Sequence, residues 1–340
     1  MINVIFTGLI RTDNRFKNSI NDLLELRKKG LINQIILSTW IDELDNYQGL
    51  KGFLKNNNIQ ILESVPPSSC KGSFLHQSRS LHLGLDAIKD RDLMIFKTRA
   101  DLYVEKIYLE KILNLDLNIS IHLSHVFEKR VWLPWFEITK PFYLADECFL
   151  ATYNDSKKLV NYNMIYDVHY NIDSGVSHIR RFVEPFLPVY PIFEVYLNYL
   201  GTTAHGTNLR FKVLNELVND EDYRKFLKLY YFVIKNYFYI GLDDATNYIH
   251  FRKWSKSVFE LPNSVEEAFD EKYSWDKSLG HIYSTNNKWI NAVAGECNVD
   301  FSVDIHKLKE LSSFAINEKN KAKKQRGFLS ILLKIKNIFK

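Results

Sequence analysis

The sequence predicts an α/β fold with a mainly parallel sheet and right-handed crossovers. Two observations lead there. The first hundred residues alternate short apolar runs with amphipathic stripes, and Gly8, Gly30 and Pro66-Pro67 close the segments. One of those runs, Leu93 to Lys97, is apolar enough for a buried strand and leads into Arg99 and Asp101.

The elements follow in order. Ile2 to Thr7 is an apolar run closed by Gly8, the first strand. Asn14 to Lys29 places Phe16, Ile20, Leu23, Leu24 and Leu26 on a helical stripe that Gly30 stops. Ile32 to Thr39 and Ile59 to Val65 read as the second and third strands. Phe74 to Ile88 reads as a helix, with Phe74, Leu81, Leu85 and Ile88 on one face. Leu93 to Lys97 is the fourth strand.

Beyond residue 100 the pattern is less regular. Asn118 to Leu123 reads as a strand, and Trp132-Leu-Pro-Trp-Phe136 as an aromatic loop. Pro141 to Ala151 reads as a strand passing into a helix start near Asn154. Pro185 to Pro191 is a broken connection, and Phe193 to Leu200 a helix. Phe211 to Ile240 and Val265 to Tyr273 read as helical. The expected division is a catalytic domain over 1–255, a helical region over 256–316, and a tether with a terminal helix over 317–340.

Composition narrows the class. The formal net charge of +5 gathers in Lys319 to Lys340, and the rest of the chain is near balance. A nucleic-acid binder would carry a basic face within its folded domain, so nucleic acid is not the expected partner. Cys70, Cys148 and Cys297 are scattered, with neither metal spacing nor a disulfide framework, which fits a reducing compartment. Aromatic residues reach 14 %, which suits sugar stacking but is better accounted for by AT-rich coding. No run has the roughly 18 apolar residues that span a bilayer. The expected location is the cytoplasm, peripheral on the inner membrane face.

Several residues could carry chemistry. A carboxylate at a strand end can hold Mg²⁺ or Mn²⁺, and a guanidinium can take a phosphate through two bonds. Asp101 and Arg99 are thus candidates for gripping a metal–diphosphate, or else form an exposed pair. Thr7, Gly8 and Arg11 follow the first strand, where the backbone could approach a nucleotide or Gly8 could simply make the turn. Gln77 and Arg79 open a helix, either as donor contacts or as its solvated face. Asp146 and Glu147 are candidates for a general base or a helix cap, and Glu194 suits a helix start in any case. His205 is a possible third metal ligand, though a lone histidine is more often structural. Trp132, Trp135 and Phe136 are candidate acceptor-stacking residues.

The last segment, Gly327 to Lys340, pairs a broad apolar face with Lys334, Lys336 and Lys340 and follows a basic cluster. A helix lying in an anionic membrane surface accounts for both features, and a helix docked on the core is the other reading.

Read together, these strings resemble the WavE lipopolysaccharide-synthesis family of bacterial glycosyltransferases over about residues 2 to 200. The resemblance rests on Ile5 to Ile10, Ile36-Leu-Ser-Thr-Trp40, His76-Gln77 with Ser80 and Gly84-Leu85, and Lys97-Thr-Arg99-Ala-Asp101-Leu102. Asp146 with Phe149, and Glu194 with Tyr196, resemble two later blocks. His76 stands where that pattern has arginine, and Ala151 where it has glycine. The resemblance implies a GT-A-like nucleotide-sugar fold, a nucleotide-sugar donor, and a lipopolysaccharide, capsule or other lipid-linked glycan acceptor. It favours site roles for Gln77, Arg99, Asp101 and Asp146. A sugar- or polyol-phosphate transferase and a non-catalytic assembly subunit are the other classes.

Overall fold

The structure is a computed structural model that describes residues 1–67, 74–123, 125–138, 141–160, 174–195, 220–242, 249–250 and 283–284, with the single positions 290, 306 and 310. Its centre is a seven-stranded sheet. Four strands form the parallel half: β1 (Ile2–Thr7), β2 (Ile32–Trp40), β3 (Gln60–Ser64) and β4 (Met94–Arg99). Helices α1 (Asp13–Lys28), α2 (Leu50–Asn56) and α3 (Phe74–Asp86) connect them in turn. A short β5 (Tyr103–Val104) and α4 (Lys106–Leu113) follow.

The second half supplies small strands. These are β6 (Val131–Leu133), β7 (Phe136–Glu137), β8 (Phe149–Ala151) and β9 (Phe238–Ile240). The described helices there are α5 (Tyr153–Val160), α6 (Ser174–Val183), α7 (Ile192–Val195) and α8 (Glu221–Tyr237). The sheet order is β3-β2-β1-β4-β8-β6-β9. β8 runs antiparallel to β4 and β6, and β9 is parallel to β6. β10 (Ile249–His250) pairs with β5, and β11 (Tyr283–Ser284) with β7.

Strand periodicity sorts the side chains between two faces. Ile5, Ile36 and Ile95 point into one core with Leu81, Leu85 and Ile88 around α3. Val4, Phe6, Ile35, Leu37 and Phe96 point into the other with Phe16, Ile20 and Leu23 of α1 and Leu50 and Leu54 of α2. A β-carbon built on Gly84 would lie 2.5 Å from Ile5 Cγ2, so α3 reaches this closeness to β1 only with glycine there.

Three expectations are corrected. Asn118 to Leu123 is not a strand: Ile121–Leu123 is a 3₁₀ turn, and Ile121 is 81 % exposed. Trp132 to Phe136 is not one loop: Trp132 and Leu133 belong to β6 and Phe136 to β7, with only Pro134 and Trp135 between them. The helix expected to Ile240 ends at Tyr237, and Phe238 to Ile240 pairs with Val131 to Leu133. Helical periodicity runs through this junction, but the edge of β6 offers Phe238 to Ile240 a ladder, with Phe238 and Ile240 buried. The expected helices at 265–273 and 327–340, and the boundary at 255, lie outside the described residues.

Candidate functional site

The connections place a crevice before any side chain is considered. α1 and α2 carry the chain from β1 to β2 to β3 on one face, and α3 returns it across the other face to β4. The connections therefore diverge between β1 and β4, which are neighbours. In open α/β sheets the ligand crevice lies outside the carboxyl ends of the strands at such a switch point. Thr7 pairs in register with Arg99 there, so the Gly8 to Arg11 turn and the Arg99 to Asp101 segment emerge side by side.

The β1 turn is held from three directions. Gly8 has φ +84°, and among the described residues, its chain neighbours apart, no atom lies within 4 Å of the position a β-carbon would take. Gly8 N–H donates to Ser38 O (3.1 Å) and to Ser80 Oγ (3.3 Å). Ser80 Oγ also donates to Ser38 O (2.7 Å), and Thr39 Oγ1 donates to Gly8 O (3.0 Å). The Ser-Thr-Trp string and Ser80 thus act as a clamp on Gly8. Thr7, buried, donates to Thr98 O and closes the base of the turn.

Arg11 adopts φ +58°, a left-handed conformation unusual for a side-chain-bearing residue. Such a geometry costs about 1–3 kcal/mol and persists where the surroundings over-determine it. Here buried Glu43 accepts from Ile10 N–H (2.9 Å), and the Arg11 N–H faces the Tyr47 hydroxyl. Burial, with Glu43 nearby, raises the Tyr47 pKa. The next residue, Thr12, is extended and makes no side-chain cap bond at the start of α1.

Asp101 receives two guanidinium groups. Arg99 closes a forked pair on it, Nε to Oδ1 at 2.8 Å and Nη2 to Oδ2 at 2.7 Å. Arg11 Nε lies 3.2 Å from Oδ2. The Asp101 side chain is 9 % exposed, whereas that of Arg11 is 48 % exposed. Burial opposes the charge on Arg99, but the bonds and charge of Asp101 outweigh it and raise its pKa.

Beneath this pair lies a buried charge cluster. In the β4–β8 register Lys97 faces Phe149, which brings Asp146 and Glu147 alongside the end of β4. Lys97, wholly buried, donates from Nζ to the main-chain oxygens of Asp146 and Glu147. Burial pushes its pKa down to about 7, with Asp146 opposing the shift. Arg181 of α6, also buried, reaches Gln77 Oε1 (3.4 Å) and Ser78 Oγ (3.2 Å) of α3. Burial lowers its pKa too, again against the charge of Asp146. Asp146 therefore interacts with Lys97, Arg99 and Arg181 together.

No family model matches the chain, so the resemblance to the WavE family rests on its strings alone. No curated protein matches it either. Among solved structures it overlaps the apo form of the glycosyltransferase GlyE of Streptococcus pneumoniae, with 12 % identity over 54 % of this chain and 43 % of that one, TM-score 0.33. A second is the galactosyltransferase LgtC with donor and acceptor sugar analogues, 10 % identical over 54 % of this chain and 66 % of that one, TM-score 0.33. A third is HddC of Yersinia pseudotuberculosis with GMP-PN, 12 % identical over 50 % and 85 %, TM-score 0.29. This chain spans less than two thirds of GlyE and of LgtC. At these scores the overlaps add no weight, and the functional reading rests on the crevice itself.

The crevice gathers Thr7, Gly8, Arg11, Arg99 and Asp101, with Asp146, Glu147 and Gln77 joined through Lys97 and Arg181. Arg79 lies on α3, half-buried, with no contact described to Asp101. Glu194 is exposed on α7, whose Phe193 packs on Phe142, and no described contact ties it to the crevice. Trp132 and Phe136 are fully buried, and Trp135 is 8 % exposed. Trp132 Nε1 donates to Gly241 O (2.8 Å), and its ring meets Phe96 and Tyr108. These rings serve the core and present no stacking platform, which corrects the acceptor expectation. A groove of about 1050 Å³ lined by Asn33, Lys55, Lys89 and Arg91 opens at the opposite, amino ends of the strands.

The cation expected at Asp101 does not fit the described residues. Two hydrogen bonds and an ion pair already occupy most of its acceptor positions. Among the described residues no three His, Cys, Asp or Glu side chains gather as a metal site. His205 lies outside the described residues. The sequence reading missed Lys97 and Arg181 as site residues. Lys97 left a signal, a lone charge directly after the apolar Met-Ile-Phe, whereas Arg181, next to Arg180, left none of that kind.

Proposed function

We propose that this protein is a glycosyltransferase that moves a sugar from a nucleotide-sugar donor to a surface-glycan acceptor, such as lipopolysaccharide or capsule. One observation carries the reading: the β1 and β4 ends meet at the switch point with the positive-φ turn at Gly8 and two guanidinium groups beside it. That setting suits a nucleoside diphosphate, because backbone approach and fixed positive charge come together. The donor diphosphate lies over Gly8, and Arg99 and Arg11 offset the charge that develops on the leaving group. Asp146 is the candidate general base, with Glu147 beside it. Lys97 fixes the main chain of both residues.

The acceptor is lipid-linked in this reading, and the basic segment after Lys319 holds the enzyme on the cytoplasmic face of the membrane. Among the described residues no helix is long and apolar enough to cross a membrane. The test is product analysis with a panel of nucleotide sugars and membrane-derived glycan. Acceptor-dependent release of a nucleoside diphosphate supports the reading. Release of a nucleoside monophosphate makes the protein a phosphotransferase instead, and no release in any combination overturns catalysis.

A further inference from the structure

We infer that Glu43, which lies outside the crevice, is a positioning residue for donor binding: resting on the donor-site reading above, it acts through the main chain of the β1 turn to aim the Arg11 side chain. Tyr47 assists it.

Glu43 reaches the turn from the neighbouring strand. It opens the 3₁₀ turn Glu43–Asn46 just beyond β2, directly after Asp42 at φ +66°. Leu44 of that turn and Ile10 of the β1 turn are buried in the same core. Glu43 Oε1 accepts from Ile10 N–H at 2.9 Å, and the Tyr47 hydroxyl lies 3.5 Å from the same oxygen. The Tyr47 oxygen in turn accepts from Arg11 N–H. Thr12 N–H donates to Ile10 O at 2.6 Å, which closes a three-residue turn around Arg11. With Arg11 at φ +58°, this is the rare and strained form of that turn. The main-chain N–H groups of Ile10, Arg11 and Thr12 are thus each held.

Two costs meet at this place, and chain reversal alone explains neither. A glutamate is seldom as buried as Glu43, which is 9 % exposed. A glycine at position 11 would take the same backbone without strain. The position instead carries a long cation whose Nε meets Asp101 while the side chain stays 48 % exposed. Strain held by surrounding contacts points to function. Both features have one effect in common, a fixed starting point for the Arg11 side chain at the mouth of the crevice. A small rotation of that main chain moves the guanidinium much farther, because the head lies at the end of a long chain. Fixing it before the donor arrives reduces the ordering needed on binding.

The test is calorimetric titration of the full chain with UDP, GDP, CDP and ADP. The proteins are wild type, Arg11→Ala, Glu43→Ala, Glu43→Gln, Tyr47→Phe, and the double variants that join Arg11→Ala to Glu43→Ala or to Tyr47→Phe. For the nucleotide that wild type binds, Arg11→Ala should raise Kd about tenfold and Glu43→Ala about fivefold, the scale of a lost charge-assisted hydrogen bond. Glu43→Gln keeps an acceptor for Ile10 N–H and should bind within about twofold of wild type. The double variants should match Arg11→Ala within about twofold, because the side chain through which Glu43 and Tyr47 act is then absent. Tyr47→Phe removes only a hydroxyl and should weaken binding about threefold, so it carries the test if Glu43→Ala fails to fold. Wild-type affinity in Arg11→Ala, or in both Glu43→Ala and Tyr47→Phe, overturns the inference and leaves the donor-site reading standing. So do losses that multiply in the double variants, or a Glu43→Gln as weak as Glu43→Ala. Absence of wild-type binding to every nucleotide of the panel overturns both.

Discussion

Lys97 and Asp146 meet inside the protein through a lysine ammonium and a main-chain carbonyl, not through a salt bridge of side chains. The bond joins the centre of the sheet to the segment that carries the candidate base. It also buries a cation whose pKa falls to about 7. Above that pH the folded amine is neutral, while an unfolded lysine stays protonated up to its ordinary 10.5. Unfolding then takes up a proton, so this group makes stability rise as pH increases from about 7 to 10.5. Urea melts of wild type and Lys97→Met across that range should diverge, with wild type gaining relative to the variant. Parallel curves would show that Lys97 is not buried as described.

Gly84 should resist even the smallest side chain. Alanine usually gains about 1 kcal/mol over glycine inside a helix. Here its methyl would press on Ile5 Cγ2, 2.5 Å away at the centre of β1. Gly84→Ala should therefore destabilise by about 1–3 kcal/mol, the range for overpacked cores. A double-mutant cycle with Ile5→Ala should show clear coupling, because the second change removes the clashing atom. Additive effects would place the helix farther from the strand.

Trp132 should behave as a core residue. Its replacement by alanine is expected to cost about 3–5 kcal/mol in denaturant melts. A partner bond to Gly241 O is lost as well. A folded, fully stable Trp132→Ala with only weakened acceptor use would restore the stacking role.

The parallel half of the fold was legible because each of β1 to β4 has five or more residues, and apolar periodicity can register at that length. Arg99 and Asp101 were legible for the same reason, as charges at the end of a clear strand. β6, β8 and β9 have three residues each, too few to show a period. Their pairings are set by distant partners, as when Phe238 leaves α8 to meet Val131. An aromatic string such as Trp132 to Phe136 reads alike in a loop and in a core. The link between Arg181 and Gln77 spans 104 positions, which no local spacing reveals.

Membrane attachment is separable from catalysis in this reading. Truncation after Lys319 should leave a soluble enzyme with its donor binding unchanged and abolish pelleting with vesicles rich in anionic lipid. Pelleting of the truncated form at the same lipid concentration would move the attachment elsewhere.

The central claim is that the crevice between the ends of β1 and β4 is the donor site. The most direct measurement is a thermal-shift screen of wild type and Arg99→Ala against UDP, GDP, CDP, CMP and ADP. One nucleotide should raise the Tm of wild type and leave Arg99→Ala unmoved. A nucleotide that stabilises both proteins equally, or a panel in which none stabilises wild type, would contradict it.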